Sequence, residues 1–487
     1  MDAEVIVVGA GPVGLMLAGE LRLGGAEVLV LERLVTPTAE SRASTLHART
    51  MEIFEQRGLL AELGTPPRQA MGHFAGIPLD LSGAPSPHAG LWKVPQARVE
   101  ELLADWARGL GADIRRGHEV VGLTASGDRV LVRAEGPRGT VEFAARHVAG
   151  CDGEDGAVRD LAGIALRGRT AARELLRADV AGVGIRDRRF ERLPGGLAIA
   201  ARRPDGVTRV MVAEHGGVAG RHPGPVTFKD VTAAWERVTG EDVGAGVPLW
   251  VGAFGDASLQ AERYRAGPVL LAGDAAHRQL PVGGQAINLG LQDAVNLGWK
   301  LAAAASGHAP DGLLDGYHDE RHPAGHRALR TIEAQARLLL GGPEVEPVRA
   351  VLAELLAHGE ARDRLARQIS GVDVRYGDAE HPLVGARMPN VGTVGALGPL
   401  RYGRGVLLDL SADTERRDLL REWARAWAGR VDLVVSDQPT AGLDTALVRP
   451  DGHVAWVSDR AADPRPALGR WFGRTDHDHS SRQGGIG

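Results

Sequence analysis

The sequence predicts an α/β protein in which a discontinuous, Rossmann-like dinucleotide-binding domain is interrupted by a β-rich domain. Three observations indicate this class: a strand–helix–strand opening with a glycine-rich turn, a central stretch of short extended segments, and a second glycine-rich turn where helical patterns return. At 487 residues the chain also exceeds the roughly 250–300 residues that one hydrophobic core supports. We therefore expect two or three domains.

The opening segment alternates apolar strands with a helix. Val5–Val8 and Glu27–Leu31 are typical of buried strands, and Pro12–Leu23 between them has helical character. Such a unit folds with parallel strands and a right-handed crossover. A second helix is predicted at about His47–Gly58 and a third at Gln96–Gly109; the Pro- and Gly-rich stretch between them, 65–95, predicts irregular or hairpin structure.

The middle of the chain predicts a β-rich domain. Short extended segments replace the alternating pattern there, with one helix near Val231–Val238. The apolar strand Val269–Ala272 and a long helix through Leu289–Ala305 then restore the α/β pattern. The predicted boundaries are 1–175 with 265–375 for the divided domain, and 176–264 with about 65–95 for the β-rich domain.

The last predicted domain, 380–487, is a small α/β unit of its own. Val406–Leu410 predicts a strand near a helix that carries Trp423 and Trp427, whose i, i+4 spacing favours packing in a core or an interface. Cys151 is the only cysteine, so neither an intrachain disulfide nor a two-cysteine redox centre can form. Any redox chemistry therefore requires a bound cofactor.

Composition and charge favour a small-molecule partner. The formal net charge of −5 gives no general attraction to nucleic acid or to an anionic membrane. No apolar run approaches the ~20 residues that span a bilayer, and Met1 leads almost directly into the first strand without a secretory signal. The sequence therefore predicts a cytoplasmic protein, without a metal site, that is a monomer or a homodimer.

The first glycine-rich turn has the G-x-G-x-x-G spacing of a dinucleotide-binding loop. Gly9 permits the tight turn, Gly11 lets the backbone approach a pyrophosphate, and Gly14 lets helix and strand pack closely. Pro12 opens the helix, whose N-terminus presents N–H groups to the phosphates. Glu32, at the end of the second strand, can accept hydrogen bonds from ribose hydroxyls and would repel a 2′-phosphate, so FAD or NAD suits the site better than NADP.

The second glycine-rich turn lies far along the chain, after an apolar strand. It comprises Gly273–His277 and continues through Leu280–Asn288. Asp274 at a strand end can hold a ribityl hydroxyl, and a glycine turn into a helix can bring N–H groups to an electron-rich ring carbonyl. The two turns are thus suited to opposite ends of one long cofactor.

On these motifs the chain resembles the flavin-dependent aromatic hydroxylases of the p-hydroxybenzoate hydroxylase class. It is more similar still to those that act on angucycline and anthracycline polyketides. The part from about Leu383 onward, with Arg404–Asp409, resembles the thioredoxin-like domain of that subgroup, here without redox cysteines. The resemblance is carried by Gly9–Gly14, Glu32-Arg33, Ser41-Arg42, Ala48–Glu52, Val94–Gln96, Gly150–Gly153 and Gly273–Asn288.

The resemblance implies roles for individual residues. Glu32 would bind the FAD ribose, Arg42 and Gln96 would contact the cofactor, and Asp274 would hold the ribityl chain. Pro281 and Gly284 would lie beside the isoalloxazine ring. The full predicted cofactor-binding set is Gly9, Gly11, Pro12, Gly14, Glu32, Arg33, Arg42, Gln96, Asp152, Asp274, Pro281, Gly284, Ala286 and Asn288.

The implied activity is hydroxylation of an aromatic polyketide with FAD, O₂ and NAD(P)H as a transient reductant, through a flavin C4a-hydroperoxide. No side chain is required as a nucleophile. His277 is a weak candidate for proton handling because its type titrates near neutrality, although a structural, hydrogen-bonded histidine is the favoured interpretation.

Two segments depart from the pattern of the family. Glu154-Asp155 stand where relatives usually have Gly-Arg, and this charge reversal predicts weaker direct reduction by a nicotinamide nucleotide. Ala286 stands where the flavin loop usually has glycine, and its methyl group predicts an altered turn or a more crowded flavin position. The first departure keeps a second enzyme class open, namely an FAD-dependent oxidase, dehydrogenase or oxidative ring-rearranging enzyme. A pathway scaffold that retains the fold without turnover is a third hypothesis.

Overall fold

The computed structural model describes residues 1–37, 44–203, 205–220, 224–389, 398–411, 413–436, 443–458 and 462–475. Strands of the first 170 residues are β1 (Val5–Val8), β2 (Val28–Glu32), β3 (Thr45–His47), β4 (Arg68–Gln69), β5 (Met71–Phe74), β6 (Ile77–Asp80), β7 (Leu91–Lys93), β8 (Asp113–Arg116), β9 (Glu119–Ser126), β10 (Arg129–Gly136), β11 (Gly139–Ala145), β12 (His147–Gly150) and β13 (Leu166–Arg169). The strands that follow are β14 (Glu174–Ala181), β15 (Arg188–Leu193), β16 (Gly196–Arg202), β17 (Thr208–Glu214), β18 (Val247–Gly255), β19 (Ser258–Ala261), β20 (Arg265–Ala266), β21 (Val269–Leu271), β22 (His277–Gln279), β23 (Gly405–Asp409), β24 (Val431–Val435), β25 (Thr445–Val448) and β26 (Val454–Ser458). The α-helices are α1 (Pro12–Leu23), α2 (Ala48–Gln56), α3 (Leu60–Leu63), α4 (Gln96–Gly109), α5 (Ala157–Leu161), α6 (Phe228–Thr239), α7 (Gln285–Ala305), α8 (Gly316–Leu340), α9 (Glu346–Ala357), α10 (Gly359–Ile369), α11 (Thr414–Arg425) and α12 (Arg465–Phe472).

The largest sheet is the mostly parallel sheet of the dinucleotide-binding fold. Its six strands run in the order β20-β21-β12-β1-β2-β8, and only the edge strand β20 is antiparallel to its neighbour. Strands β1 and β2 are buried along their whole length, as expected for parallel strands covered on both faces. Because β12 and β21 come from separate parts of the sequence, the sheet is discontinuous in the chain, as predicted.

Helices α1 and α7 pack closely beside this sheet, since glycines remove the side chains that would separate them. A Cβ on Gly298 of α7 would lie 2.3 Å from Cβ of Glu20 on α1, which is closer than packed atoms approach. Helix α7 begins at Gln285, four residues before the predicted Leu289, because the turn ends in a left-handed glycine, Gly284, at the helix N-cap. The first turn of α7 therefore belongs to the second glycine motif.

The β-rich region contains a five-stranded antiparallel sheet in the order β15-β16-β17-β14-β18. Helix α6 covers one face, where Val231 and Trp235 are fully buried against Ala178 and Val210. Its N-terminus is closed by a capping box between Thr227 and Asp230. The opposite face is turned toward Leu280 and Val282 of the second glycine motif.

The C-terminal sheet has the order β24-β23-β25-β26, with β23 parallel to β24 and the other pairs antiparallel. Trp427 is buried against Leu420 and Phe472, and its indole N–H donates to the carbonyl of Gly473 at 2.8 Å. Trp423 packs at the edge of the same cluster. The predicted packing role of the tryptophan pair is therefore confirmed, but the helix that was predicted to carry both ends at Arg425, so Trp427 lies in the turn after it.

A buried ion network joins this C-terminal unit to the α7–α8 helices. Arg449 donates to Glu320 at 2.6 and 2.8 Å and is also paired with Asp451, while Lys300 donates to Glu320 at 2.7 Å. Burial opposes ionisation of Glu320, but Arg449 and Lys300 outweigh it and lower the pKa of this carboxyl to about 2. The C-terminal unit is therefore anchored by charges that must remain paired. Within the described residues, no helix is both long and apolar enough to cross a membrane.

Candidate active site

The first glycine turn is shaped by two backbone contacts. Gly9 has a φ of +101°, and a Cβ there would lie 2.4 Å from the carbonyl oxygen of Cys151. A Cβ on Gly14 would lie 2.0 Å from the carbonyl oxygen of Gly9. Gly9 and Gly14 are thus glycine because the protein itself leaves no space.

Gly11 differs from its neighbours. No described atom outside its immediate chain neighbours would lie within 4 Å of a Cβ on this residue, so packing does not require glycine here. The residue is the N-cap of α1 and has no side-chain acceptor for the first N–H groups of the helix. Open space beside free helix N–H groups is the environment that a pyrophosphate needs, and the FAD pyrophosphate fits it.

Glu32 is fixed next to this turn. Its carboxylate accepts hydrogen bonds from the N–H groups of Ala10 at 2.7 Å and Leu34 at 2.8 Å. Each carboxylate oxygen retains a second lone pair, so the ribose hydroxyls predicted to bind here have acceptors available. The side chain of Arg33 is exposed, and Arg42 lies outside the described residues.

The second glycine turn lies directly against the first helix. Gly273 has a φ of +65°, and a Cβ on it would lie 2.9 Å from Cγ2 of Val13. A Cβ on Gly290 of α7 would lie 2.6 Å from the same methyl group. Val13 belongs to the first glycine motif, so the structure brings the two sequence motifs into contact; that they bind opposite ends of one cofactor stays a prediction. Asp274 is exposed beside the turn and accepts a hydrogen bond from Gln279 at 3.3 Å.

The motif then reaches the turn that enters α7, which we call the ring turn (Pro281–Gly284). Gly283 and Gly284 have φ of +66° and +69°, and His47 contacts the carbonyl of Gly283 at 2.9 Å through Nε2. Burial lowers the pKa of His47 to about 4, so the ring is neutral at pH 7 and donates this hydrogen bond. Pro281 is exposed, next to the N-terminus of a long helix, where an electron-rich ring carbonyl is stabilised.

Asn288 holds the ring turn in place. Its Oδ1 accepts from the N–H of His47 at 2.8 Å and from Thr50 Oγ1 at 2.7 Å, and its Nδ2 donates to the carbonyls of Thr45 and Gly284. Two acceptor and two donor positions are an amide's full capacity. The structure thus gives the Asn288 side chain a positioning role, and its predicted contact with the cofactor stays a prediction.

Ala286 lies in the first turn of α7 and not in the tight turn before it. Among the described residues, the non-glycine residues with positive φ are Ala75 and Phe190, so the φ of Ala286 is not in the left-handed region. An alanine is therefore compatible with the backbone here, and the predicted distortion of the turn does not occur. Crowding of the flavin by this methyl group stays a prediction.

His277 is fully buried behind the second turn. Its Nε2 is 2.9 Å from Oδ2 of Asp293, whose other oxygen accepts from Arg321 at 2.7 Å. The same Asp293 accepts from the N–H of Gly273 at 3.2 Å. Burial disfavours the charged imidazole, but Asp293 outweighs burial and raises the pKa of His277. This geometry supports the structural interpretation of His277 over proton handling at the flavin.

The two acidic residues that depart from the family pattern, Glu154 and Asp155, are paired with an arginine. Arg278 Nε lies 2.9 Å from Glu154 Oε2, and its Nη1 lies 3.4 Å from Asp155 Oδ1. Asp152, just before them, accepts from the N–H of Val158 at 3.0 Å, and burial raises the pKa of its carboxyl. Gln96 at the start of α4 donates to Glu100 at 2.8 Å. The sequence contains Arg278 but gives no sign that it pairs with residues more than 100 positions earlier.

An apolar surface, which sequence reasoning did not resolve into residues, lies above the ring turn. Leu280 and Val282 pack in one cluster with Leu175 and Leu197 of the five-stranded sheet. Ile332 and Leu339 of α8 belong to the same cluster, and four partly buried side chains pack against it: Phe190, Ile199, Met211 and Phe254. The continuous apolar runs of β16 and β17 indicate strands that are covered on both faces, and Leu197, Ile199 and Met211 belong to this face.

The chain matches two family models. Residues 2–331 match an FAD binding domain, and residues 381–475 match an aromatic-ring hydroxylase C-terminal domain. A 12-dehydrotetracycline 5-monooxygenase/anhydrotetracycline 6-monooxygenase of Streptomyces rimosus is 42% identical, over 97% of this chain and 99% of the relative. A dialkyldecalin synthase of Streptomyces rugosporus is 39% identical, over 97% of this chain and 99% of the relative.

Solved structures give the same picture. The crystal structure of an aromatic hydroxylase from angucycline biosynthesis is 48% identical, covers 98% of this chain and 100% of that chain, and superposes with a TM-score of 0.91. The similarity therefore includes the dinucleotide-binding fold, the antiparallel sheet and the C-terminal unit together.

Proposed function

Because the chain belongs to the family of aromatic-ring hydroxylases with an FAD-binding domain, we propose that it hydroxylates an aromatic polyketide intermediate of antibiotic biosynthesis. The enzyme is a flavin-dependent aromatic monooxygenase. FAD is its cofactor, with O₂ as the oxygen source and NAD(P)H as the expected reductant. The relatives named for tetracycline and angucycline intermediates support a multi-ring phenolic substrate.

One observation carries the proposal: the two glycine turns meet at Val13, and the second leads to an apolar sheet face. A cofactor held at Gly11 would extend along α1 toward Gly283 and Gly284. Bound FAD would activate O₂ for transfer of one oxygen atom to an electron-rich ring. The remaining steps, orienting that ring and keeping water from it, belong to the protein.

The apolar surface is suited to those steps. Leu280, next to the ring turn, and Val282, within it, pack in one cluster with the five-stranded sheet, and the partly buried Met211 and Phe254 pack against that cluster. A flat aromatic substrate lying against these side chains would displace water from the ring turn. We expect specificity among substrates to depend on this face, because the adenosine portion of the cofactor is expected to bind at the N-terminal half of the site.

Isotope labelling tests the proposed reaction. The FAD-loaded protein is mixed with NADPH or NADH and with anhydrotetracycline under ¹⁸O₂, and the product is analysed by mass spectrometry. Hydroxylation predicts a product heavier by one ¹⁸O atom, with no label when ¹⁸O is supplied only as water. A panel of tetracyclic and angular phenols extends the test if this probe is not turned over.

A second candidate function rests on a specific relative. The dialkyldecalin synthase, at 39% identity over nearly the whole chain, has a name that does not describe an oxygenation. The same family scaffold therefore also accommodates ring-forming or rearranging reactions. Substrate conversion without ¹⁸O in the product would favour this candidate, and the same experiment separates the two.

A further inference from the structure

Two charged side chains, Lys93 and Arg189, and two neutral imidazoles, His47 and His73, lie near one another beside the ring turn, and we call them the cationic cluster. His47 contacts the carbonyl of Gly283. Lys93 donates to Thr45 Oγ1 at 3.2 Å, and a Cβ on Gly284 would lie 3.1 Å from Cβ of that threonine.

The other two members lie on the side of the antiparallel sheet. The ring of His73 is 4.0 Å from the ring of Phe190, centroid to centroid. Arg189 donates to the carbonyls of Met71 and Gly72, each at 3.3 Å. The cluster thus connects the ring turn with strands β5, β7 and β15.

The cluster is held by neutral acceptors. Within the parts of the chain that the structure describes, every ion pair is formed by residues other than Lys93 and Arg189. The charges that act most strongly on these groups are also positive. Burial, Arg189, Lys93 and His47 together lower the pKa of His73 to about 4, and burial and Arg189 lower the pKa of Lys93.

Lys93 and Arg189 carry positive charge with neutral partners, and Lys93 is partly removed from water, so an anion would stabilise them. The enzyme's expected substrates carry acidic phenol and enol groups, and the cluster lies between the ring turn and the sheet face that we assign to substrate. We propose that the cationic cluster binds the substrate as its oxyanion, phenolate or enolate, with Lys93 as the principal counter-charge. This inference rests on the proposed function, because it places the substrate on that face.

The reduced flavin is a second source of a delocalised oxyanion at the same turn. The positions of the two charged residues favour the substrate, since Lys93 and Arg189 lie on strands β7 and β15. Negative charge on the flavin ring is instead expected to be stabilised by the N-terminus of α7. Binding measured with oxidised FAD, which lacks that negative charge, separates the two sources.

The test uses 1,8-dihydroxyanthraquinone as probe, because ionisation of this polycyclic phenol shifts its visible absorption. Binding to the FAD-loaded wild-type protein is titrated from pH 6 to pH 10. We expect the apparent pKa of the bound probe to fall, and the Lys93→Met variant to bind the ionised probe about tenfold more weakly, which corresponds to about one pKa unit. Binding of the neutral form should change little.

Two further variants make the test specific. Lys93→Arg keeps the charge and should restore most of the preference for the ionised probe. Lys229 is exposed on α6, and Lys229→Met should behave as wild type. FAD content and thermal midpoint are measured for each variant, so that a misfolded protein is recognised.

Three results would overturn the inference. The first is an unchanged probe pKa in Lys93→Met, the second is wild-type binding that does not depend on ionisation, and the third is a variant whose only change is the flavin reduction potential. These results are independent of ¹⁸O incorporation. If ¹⁸O enters the product but the probe shows no ionisation preference, the proposed function stands and this inference fails. If the probe shows the preference but no ¹⁸O enters the product, this inference stands and the proposed function fails.

Discussion

Val13 of the first glycine motif packs directly on Gly273 of the second, so that a Cβ at position 273 would lie 2.9 Å from its Cγ2 methyl. This contact fixes how closely α1 approaches the loop that follows β21. The distance between the pyrophosphate end and the ring end of the candidate FAD site therefore depends on Val13 and on the two glycines that contact it, Gly273 and Gly290.

Gly290→Ala is expected to disturb this spacing. The new methyl group would lie 2.6 Å from Cγ2 of Val13, and overpacking of this kind costs about 1–3 kcal/mol, partly offset by the better helix propensity of alanine. We expect weaker FAD binding in a fluorescence titration. The double variant Val13→Ala/Gly290→Ala removes the clash and should recover part of the affinity; equal losses in the single and double variants would contradict the contact.

Gly11→Ala and Gly14→Ala should have opposite signatures. A Cβ at position 11 would meet no described atom within 4 Å, whereas one at position 14 would lie 2.0 Å from the carbonyl of Gly9. We therefore expect Gly11→Ala to retain the stability of the apoprotein and to lose FAD affinity. Gly14→Ala should lower the unfolding midpoint of the apoprotein, measured in urea. A Gly11→Ala protein with wild-type FAD affinity would place the pyrophosphate elsewhere.

The His277–Asp293 pair predicts a pH-dependent stability. The pKa of His277 is raised in the folded protein, so its contribution is complete below the unfolded value of about 6.5 and is lost as the pH rises through the folded value. The stability difference between wild type and His277→Gln should thus be largest in mildly acidic buffer and shrink in alkaline buffer. Urea unfolding between pH 5.5 and pH 9.5 measures it.

A matched control for this titration is His308→Gln, because His308 is exposed. Its stability difference from wild type should be small at every pH. A His277→Gln difference that stays constant or grows with rising pH would contradict the pairing with Asp293.

Arg449→Met is expected to weaken the attachment of the C-terminal unit to α7 and α8 and so to lower the urea midpoint. It leaves Glu320 and Asp451 buried with too little positive charge, a change that costs about 3–5 kcal/mol. The control, Arg465→Gln, removes an exposed arginine paired with Asp463 and should leave the urea midpoint unchanged. Similar midpoints for both variants would show that the buried network contributes little.

Arg278→Gln tests the compensated acidic pair. Without Arg278, the carboxylates of Glu154 and Asp155 would repel an incoming nicotinamide nucleotide, and we expect flavin reduction to slow about tenfold. Stopped-flow absorbance under anaerobic conditions measures the rate with NADPH and NADH. The triple variant Glu154→Gln/Asp155→Asn/Arg278→Gln should recover the rate, while Arg167→Gln, which removes an exposed arginine paired with Glu262, should not change it.

Local patterns in the sequence were sufficient for much of the fold. Helices α1 and α4 have the predicted limits, Pro12–Leu23 and Gln96–Gly109, because glycine, proline and apolar spacing act within a few residues. The glycine motifs also located the two turns of the site, since their steric demands are set by backbone geometry.

Long-range pairing of charges could not be predicted in this way. Arg321 joins Asp293 from another helix, and Arg449 reaches Glu320 across 129 positions. Periodicity marks which face of a helix is buried, but it does not identify the partner of a buried charge. The role proposed for Lys93 could not be predicted for the same reason, because the residues around it come from three separate strands.

The most direct test of the central claim is a crystal structure of the protein grown with excess FAD. The account predicts one FAD molecule with its pyrophosphate within hydrogen-bond distance of the N-terminus of α1 at Gly11, and its isoalloxazine ring against Gly283 and Gly284. An FAD molecule that touches only one of the two glycine turns, or neither, would contradict it.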